Sequence, residues 1–298
     1  MPADPLVTPL GATATAYLQL PGGWFLNNAG WITGTERTVL VDTCATEARS
    51  RHLLQQAQAA HPHVPVSAVL THAHGDHAHG AGLVTASGGD VLATAAAAAD
   101  IATGPHTYPE LFDCTSWGEI TPPEQLETLT ESTSWDLGGT TVEIHPVPTH
   151  AHTNGDLVVW QPDDEVLFTG DLAFHGVTPL AMHGSISGWV EALDWLENFQ
   201  ATQLVPGHGP VITAQDTALA ELRDYLRWLL EAVGTTENPD FDALEAQARE
   251  SWATWHDAER HAVNLRRAHA ETHGHDFDII TAAGAMLESA GGPITLTI

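Results

Sequence analysis

The 298-residue sequence contains no lysine, and its nine basic residues other than histidine are all arginine. They are opposed by 38 Asp and Glu residues, which gives a formal net charge of −29 with histidine neutral. No arginine lies between His52 and Leu222, the segment that carries every functional motif described below. Nucleic acids are held by clustered Lys and Arg, so a nucleic-acid substrate is not expected. The acidity also disfavours binding to anionic membranes.

Cysteine and long apolar runs are scarce as well. Cys44 and Cys114 are the only cysteines, too few for a disulfide framework and without His or Cys neighbours at zinc-ligand spacing. No apolar run reaches the length of a membrane-spanning helix. Residues 1–20 lack the charged start and the unbroken apolar stretch of a signal peptide, so a cytoplasmic location is expected.

Short apolar runs bounded by turn residues alternate with helical patterns through the first 212 residues. Residues 46–60 (TEARSRHLLQQAQAA) predict a helix that ends before His61-Pro62. The segment Thr103–Ser134 is rich in proline and too long for a plain connector, which is typical of a lid or binding loop. From Thr213 onward the pattern is helical and poor in strands. An α/β fold followed by a helical extension is therefore expected.

The most informative stretch is VLTHAHGDHAHG, which follows a short apolar strand. It contains His72, His74, Asp76, His77 and His79. Imidazole and carboxylate groups are the ligands of Zn²⁺, and five of them within eight residues exceed what one ion can use. The intervening glycine permits the tight turn that would direct them to one point. The spacing therefore predicts two metal ions side by side.

Three further motifs carry ligand-type side chains at predicted strand ends. The run VPTHAHTNGDLVVW has His150 and His152 in a turn before a strand. VLFTGDLAF places Asp171 after an apolar strand, and LVPGHGPV places His208 after another. A single His or Asp at a turn is most often only hydrogen-bonded to backbone. Four such motifs together point to a shared metal site.

These residues give the sequence its resemblance to the metallo-β-lactamase superfamily, whose His-x-His-x-Asp-His signature is met here residue for residue. The resemblance spans about residues 12–215. It implies an αββα sandwich of two sheets as a catalytic domain over residues 1–212. A helical extension over residues 213–298 would then cover the active-site cleft.

The resemblance also assigns the ligands. It implies that one ion is held by His72, His74 and His152, that the other is held by Asp76, His77 and His208, and that Asp171 bridges both. His79 is one ligand too many and is expected outside the ligand set, with His150 as a neighbour of His152. Two Zn²⁺ ions are expected, although iron and manganese remain open on ligand type alone.

The chemistry implied is that of a zinc-dependent hydrolase, in which hydroxide held between the cations attacks a (thio)ester carbonyl and Asp76 orients it. Asp171 stands where true β-lactamases mostly have Cys, and this resembles the glyoxalase II, lactonase and thioesterase branches. The candidate substrate contacts are aromatic and neutral, namely Tyr108, Phe174, His175 and His183. They favour an apolar or aromatic acyl group, in a pocket expected to have no Lys and no nearby Arg.

More loosely, the run VTPLAMHGSISGWVEALDWL resembles actinobacterial polyketide thioesterases and cyclases. This implies an acyl chain presented by an acyl carrier protein, with cyclisation coupled to release. Carrier proteins are acidic, so docking would need the C-terminal arginines. Two enzymatic alternatives remain, a hydrolase of small esters or lactones and a glyoxalase II-like thioesterase. A non-catalytic metal-binding regulatory domain would require a damaged ligand set, and this set is intact. The oligomeric state is left open.

Overall fold

The computed structural model describes residues 4–298, whose strands and helices alternate through two sheets before a helical C-terminal region. The strands are β1 (Leu6–Pro9), β2 (Ala14–Leu18), β3 (Ala29–Thr33), β4 (Thr38–Val41), β5 (Val66–Val69), β6 (Val91–Thr94), β7 (Phe112–Asp113), β8 (Glu127–Leu129), β9 (Thr133–Asp136), β10 (Thr141–Pro146), β11 (Leu157–Gln161), β12 (Val166–Phe174), β13 (Gln203–His208), β14 (Ile212–Thr213) and β15 (Ile294–Thr295). The helices are α1 (Glu47–Ala60), α2 (Gly75–Ala78), α3 (Ala81–Ala86), α4 (Ala95–Ile101), α5 (Ile186–Leu196), α6 (Ala218–Val233), α7 (Phe241–Ser251), α8 (Arg260–His273) and α9 (Ile279–Ala290).

The strands form two large sheets. The first has the order β1-β2-β3-β4-β5-β6-β8, and its strands β4, β5, β6 and β8 are parallel. The second has the order β14-β13-β12-β11-β10-β9, in which only β12 and β13 are parallel. Parallel neighbours need a crossover connection. Helix α1 provides it between β4 and β5, α3 between β5 and β6, and α5 between β12 and β13.

Three apolar layers hold the sandwich together. Side chains such as Val69 and Phe168 meet between the two sheets. Leu53 of α1 packs on the outer face of the first sheet, and Trp189 of α5 with Leu226 of α6 packs on the outer face of the second. Strands covered on both faces are mainly apolar and fully buried, as β4 and β5 are. The expected αββα arrangement is confirmed.

The C-terminal region runs from α6 to β15. A pair of parallel strands, β15 and β7, ties the end of the chain to the segment before β8. Met286 of α9 and Leu296 pack with Phe25 and Phe112 in one apolar cluster. Among residues 4–298, no helix has both the length and the apolar character needed to cross a membrane. The boundary at residue 212 and the cytoplasmic location stay predictions.

The structure differs from the sequence-based expectation in two places. The segment Thr103–Ser134 is expected to be a loop, but it contains β7, β8 and the start of β9, and β8 forms the edge of the first sheet. The apolar strand predicted to end before Asp171 continues as β12 to Phe174, with irregular pairing beyond Phe168. Asp171 lies in this irregular stretch.

Candidate metal centre

The His-rich stretch folds into a turn and the short helix α2 directly beyond β5. The backbone N–H groups of His77 and Ala78 both donate to the carbonyl of His74 and close the turn. Gly75 packs against the ring of His79, where a Cβ atom would lie 2.3 Å from Nε2. A larger residue at this position would therefore have to displace the ring of His79.

The other three ligand-type side chains come from the second sheet. His152 sits in a turn stabilised by Thr153, whose N–H donates to the carboxylate of Asp156 at 2.8 Å. Asp171 lies in the irregular part of β12, and His208 ends β13. A Cβ atom on Gly207 would lie 1.9 Å from Asp171 Oδ1, so glycine is required for Asp171 to take its position.

All seven predicted ligands are brought together. The donor atoms in each of two groups lie within 4.8 Å of one another, the groups being His72, His74, His152 and Asp171, and Asp76, His77 and His208. The five histidines and Asp76 divide as the family resemblance implies, and Asp171, for which the resemblance implies a bridging position, is grouped with His72, His74 and His152.

Asp171 faces both groups, one oxygen to each. Its Oδ2 lies 3.8 Å from His72 Nε2 and 3.3 Å from His152 Nε2. Its Oδ1 lies 3.1 Å from His77 Nε2 and 3.5 Å from His208 Nε2. Ligands about 2.1 Å from a tetrahedral zinc ion lie about 3.4 Å apart, so these separations match a carboxylate shared by two ions.

The hydrogen bonding of the site fits a divalent metal. His208 donates from Nδ1 to the carbonyl of Gly22 at 2.8 Å, which directs the Nε2 lone pair at Asp76 Oδ2, 3.3 Å away. The Nε2 atoms of His72 and His77 and the Oδ1 atom of Asp171 are buried without a hydrogen-bond partner. Lone pairs facing one another in a buried site need a cation between them. The donor set, rich in imidazole, suits zinc.

The pKa values of the clustered side chains also indicate that the site needs positive charge. Burial and the neighbouring imidazoles lower the pKa of His72 and His74, and burial lowers the pKa of His152 to about 4. Burial opposes protonation of His77 too, but the carboxylates of Asp171, Asp42 and Asp76 hold its pKa well above the ordinary value. Despite burial, the facing histidines lower the pKa of Asp76 and Asp171. Both carboxylates are therefore ionised at neutral pH.

Asp42, which the sequence-based assignment missed, orients one ligand. His77 donates from Nδ1 to Asp42 Oδ2 at 2.7 Å, and Asp42 also accepts from the N–H of Thr71 at 2.7 Å and from its hydroxyl at 2.8 Å. A carboxylate behind a metal-binding histidine fixes the ring and its tautomer. The available signal was an aspartate directly after the apolar strand TVLV.

His79 and His150 lie outside the two groups, as the sequence predicts. His79 donates from Nδ1 to the carbonyl of Ala45 at 3.0 Å and packs edge-on against Trp117. His150 donates from Nε2 to the carbonyl of His183 at 2.8 Å. The two histidines therefore support the segments beside the ligands.

The clusters open on a mainly apolar cavity. Five of the clustered residues line its wall, the carboxylates of Asp76 and Asp171 and the imidazoles of His74, His152 and His208. The rest of the wall is mainly aromatic and aliphatic and includes Trp24, Phe25, Tyr108, Leu111, Phe112, Leu180, Met182 and Met286. The cavity is narrow, with a volume of about 80 Å³.

The expectation of a pocket without a nearby arginine is wrong, because Arg260 of α8 reaches the cavity wall. Its Nη1 donates to the carbonyl of Thr178 at 2.9 Å, its Nη2 lies 2.8 Å from Asp257, and its guanidinium covers the ring of Trp24. The side chain is 3% exposed. Arg260 is thus neutralised and enclosed, and the cavity has little positive charge to offer an anionic substrate.

Of the four predicted substrate contacts, Tyr108 and His183 line the cavity. Phe174 is buried behind the ligands, where its ring stacks in parallel on His208 at 5.2 Å. His175 bonds through its backbone N–H to the carbonyl of His208 and is absent from the cavity wall. Phe174 and His175 therefore support His208 and do not face the cavity.

The two-sheet sandwich and the His/Asp clusters at its strand ends define a metal-dependent hydrolase of the αββα class. The model of the metallo-beta-lactamase superfamily matches residues 22–208, a range that contains all seven clustered residues. The chain belongs to the metallo-beta-lactamase superfamily.

Solved structures of similar fold cover about three quarters of the chain. They include a metallo-beta-lactamase from Pontibacter korlensis, 20% identical, with a TM-score of 0.61, covering 75% of this chain and 99% of its own. The DIM-1 metallo-beta-lactamase is 16% identical over 76% of this chain and 99% of its own, with a TM-score of 0.59. The metallo-beta-lactamase IND-7 is 18% identical over 76% of this chain and 100% of its own, with a TM-score of 0.59. No curated protein matches the sequence. These identities and TM-scores show that the fold is shared.

Proposed function

We propose that the protein is a two-zinc hydrolase of an acyl thioester or ester whose acyl group is compact and apolar or aromatic. The observation that carries this proposal is Asp171, whose two oxygens face two separate imidazole clusters at the base of an apolar cavity. His72, His74 and His152 would hold one ion, and Asp76, His77 and His208 the other. The intact set leaves no support for a purely regulatory metal domain.

The residues of the chain have distinct tasks in this reaction. Bound divalent cations would supply an acidified water and an electrophile for the carbonyl oxygen. Asp76 is ionised and lines the cavity, so it can accept a hydrogen bond from the attacking water and orient it. The aromatic wall excludes bulk water and binds the acyl group, which strengthens the electrostatic interactions inside.

The size of the cavity limits the acyl group. The narrow apolar cavity favours one or two aromatic rings or a short branched chain over an extended acyl chain. Tyr108, Leu111 and Phe112 would contact such a group from the segment before β8. We therefore propose a compact acyl group, and polyketide cyclisation is left without structural support.

The acyl group is proposed to arrive on a small molecule. Docking of an acidic carrier protein would require free C-terminal arginines, but Arg260 is enclosed and two others are engaged. Arg266 donates to the carbonyl of Ala262 and covers Phe241, while Arg267 donates to the carbonyls of Ala181 and Met182. Lysine is absent from the whole chain. An acidic carrier protein is therefore a poor electrostatic partner.

A hydrolase of small esters or lactones is the second candidate, because the same small cavity suits it. A glyoxalase II-like substrate is less suited, since glutathione carries two carboxylates and the cavity wall offers only the neutralised Arg260. The discriminating experiment measures kcat/KM of the zinc-loaded protein on acetyl, butyryl, benzoyl and phenylacetyl thioesters, matched esters, γ-lactones and lactoylglutathione. Highest turnover of the aromatic thioesters is expected. Preference for lactones would support the second candidate, and no turnover of any acyl compound would overturn both.

Leu180→Phe tests the placement of the acyl group. Leu180 is half-buried in the cavity wall, and the larger ring would occupy space that an aromatic acyl group needs. We expect kcat/KM for the benzoyl thioester to fall about tenfold or more while that for the acetyl thioester changes little. Leu219→Phe, a matched change on α6 outside the cavity, should leave both values unchanged. Equal losses on both substrates in Leu180→Phe would contradict the assigned acyl site.

A further inference from the structure

His183 contacts a metal-site histidine on the side that faces away from the centre. His74 turns Nδ1 toward the cluster, where it lies 2.9 Å from His152 Nε2. Its other nitrogen, Nε2, lies 2.9 Å from His183 Nδ1. The two imidazoles thus form a hydrogen-bonded pair that joins the metal centre to the cavity wall.

The protonation pattern of this pair follows from which atom binds metal. If His74 binds through Nδ1, that atom carries no proton, and the neutral ring keeps its proton on Nε2. Nε2–H of His74 then donates to His183 Nδ1, which must accept. His183 consequently carries its own proton on Nε2, a hydrogen-bond donor in the cavity wall.

The backbone around His183 is held from three directions. Arg267 of α8 donates to the carbonyl of Met182 at 2.6 Å. His150 donates to the carbonyl of His183 at 2.8 Å, and the N–H of Ser185 donates to the carbonyl of Ala151 at 2.8 Å. Gly184 has no room for a side chain, because a Cβ atom there would lie 2.1 Å from the Ala151 carbonyl oxygen.

We propose that His183 is a positioning residue for the metal ligand His74, fixing its Nε2–H tautomer and thereby presenting its own Nε2–H to the cavity. The proposal rests on the zinc site of the proposed function, but it does not depend on the substrate. It also gives Arg267 and His150 a task, since both hold the segment that carries His183. A partner of this kind normally contributes about 10–100-fold to metal affinity.

Zinc affinity tests the positioning role without any substrate. Zinc binding is measured by competition with a chelator of known affinity, in wild type, His183→Ala and His183→Asn. We expect His183→Ala to weaken zinc binding about 10–100-fold. Asn places an oxygen acceptor near the position of Nδ1, so His183→Asn should recover most of the lost affinity. His145→Ala, a His→Ala change on β10 where the side chain bonds to Glu143, should bind zinc as the wild type does.

The tautomers are read directly from nitrogen-15 NMR of histidine-labelled, zinc-loaded protein, with His183→Ala assigning the His183 signals. We expect Nε2–H in both His74 and His183. Wild-type zinc affinity in His183→Ala, failure of Asn to recover a lost affinity, or an Nδ1–H tautomer of His183 would each overturn the proposal. If zinc affinity and tautomers are as expected but no acyl compound is turned over, the positioning role of His183 stands and the proposed substrate class is rejected.

Discussion

Replacing Asp171 with Asn is expected to remove most zinc from the centre and to lower hydrolysis of the best thioester about a thousandfold. This loss corresponds to about 4 kcal/mol of transition-state stabilisation. The side chain is the only group whose two oxygens face both clusters among the described residues. An amide keeps the shape, but it offers one oxygen instead of two and no negative charge to two cations.

Zinc per chain, measured by inductively coupled plasma mass spectrometry, and kcat/KM are the two readouts for Asp171→Asn. Asp90→Asn makes the same chemical change at an exposed position and should retain wild-type zinc and turnover. Circular dichroism establishes that both variants are folded. An Asp171→Asn protein that retains two zinc ions and wild-type turnover would show that Asp171 does not bridge the centre.

Replacing Asp42 with Ala is expected to damage both the fold and the metal site. The carboxylate is 2% exposed, and its loss leaves His77 Nδ1 and both donors of Thr71 unpaired in the interior. Unpaired buried donors each cost about 1–3 kcal/mol, so we expect the free energy of unfolding to fall by about 3 kcal/mol or more. Zinc affinity should fall about 10–100-fold because His77 loses its orienting partner.

Asp42→Asn separates these two effects. Its backbone φ is +63°, a conformation that Asn tolerates better than Ala, and the amide oxygen can still accept from Thr71. The amide has only one oxygen, so it cannot accept from Thr71 and also from His77 Nδ1 as the carboxylate does. Zinc affinity should therefore fall, while most of the free energy of unfolding is kept. Urea unfolding and chelator competition measure the two quantities. Equal zinc affinity in wild type, Asp42→Asn and Asp42→Ala would contradict the orienting role of Asp42.

The seven clustered residues could be predicted because each lies in a short motif within or beside an apolar strand. His72 to His77 occupy six consecutive positions, and the turn that folds them together is local. The apolar strands that carry Asp171 and His208 are buried on both faces, and the sequence shows this directly. Local pattern and tertiary structure agree at these positions.

Long-range contacts account for what the sequence does not reveal. Asp42 meets His77 across 35 residues, and Arg260 reaches the cavity from α8, far beyond the motifs. Phe174 and His175 adjoin the site in sequence, but the irregular course of β12 directs them behind His208. His183 contacts His74 across 109 residues. Such pairings depend on how the two sheets and the C-terminal helices pack, which periodicity alone does not specify.

The dependence of hydrolysis on metal is tested most directly by titrating chelator-treated protein with zinc and measuring heat and thioester turnover at each addition. We predict two zinc ions bound per chain, no turnover before the first addition, and a maximum once both clusters are filled. Full turnover in protein shown to contain no metal, or no zinc binding by folded protein, would contradict the assignment of this site as a two-metal hydrolytic centre.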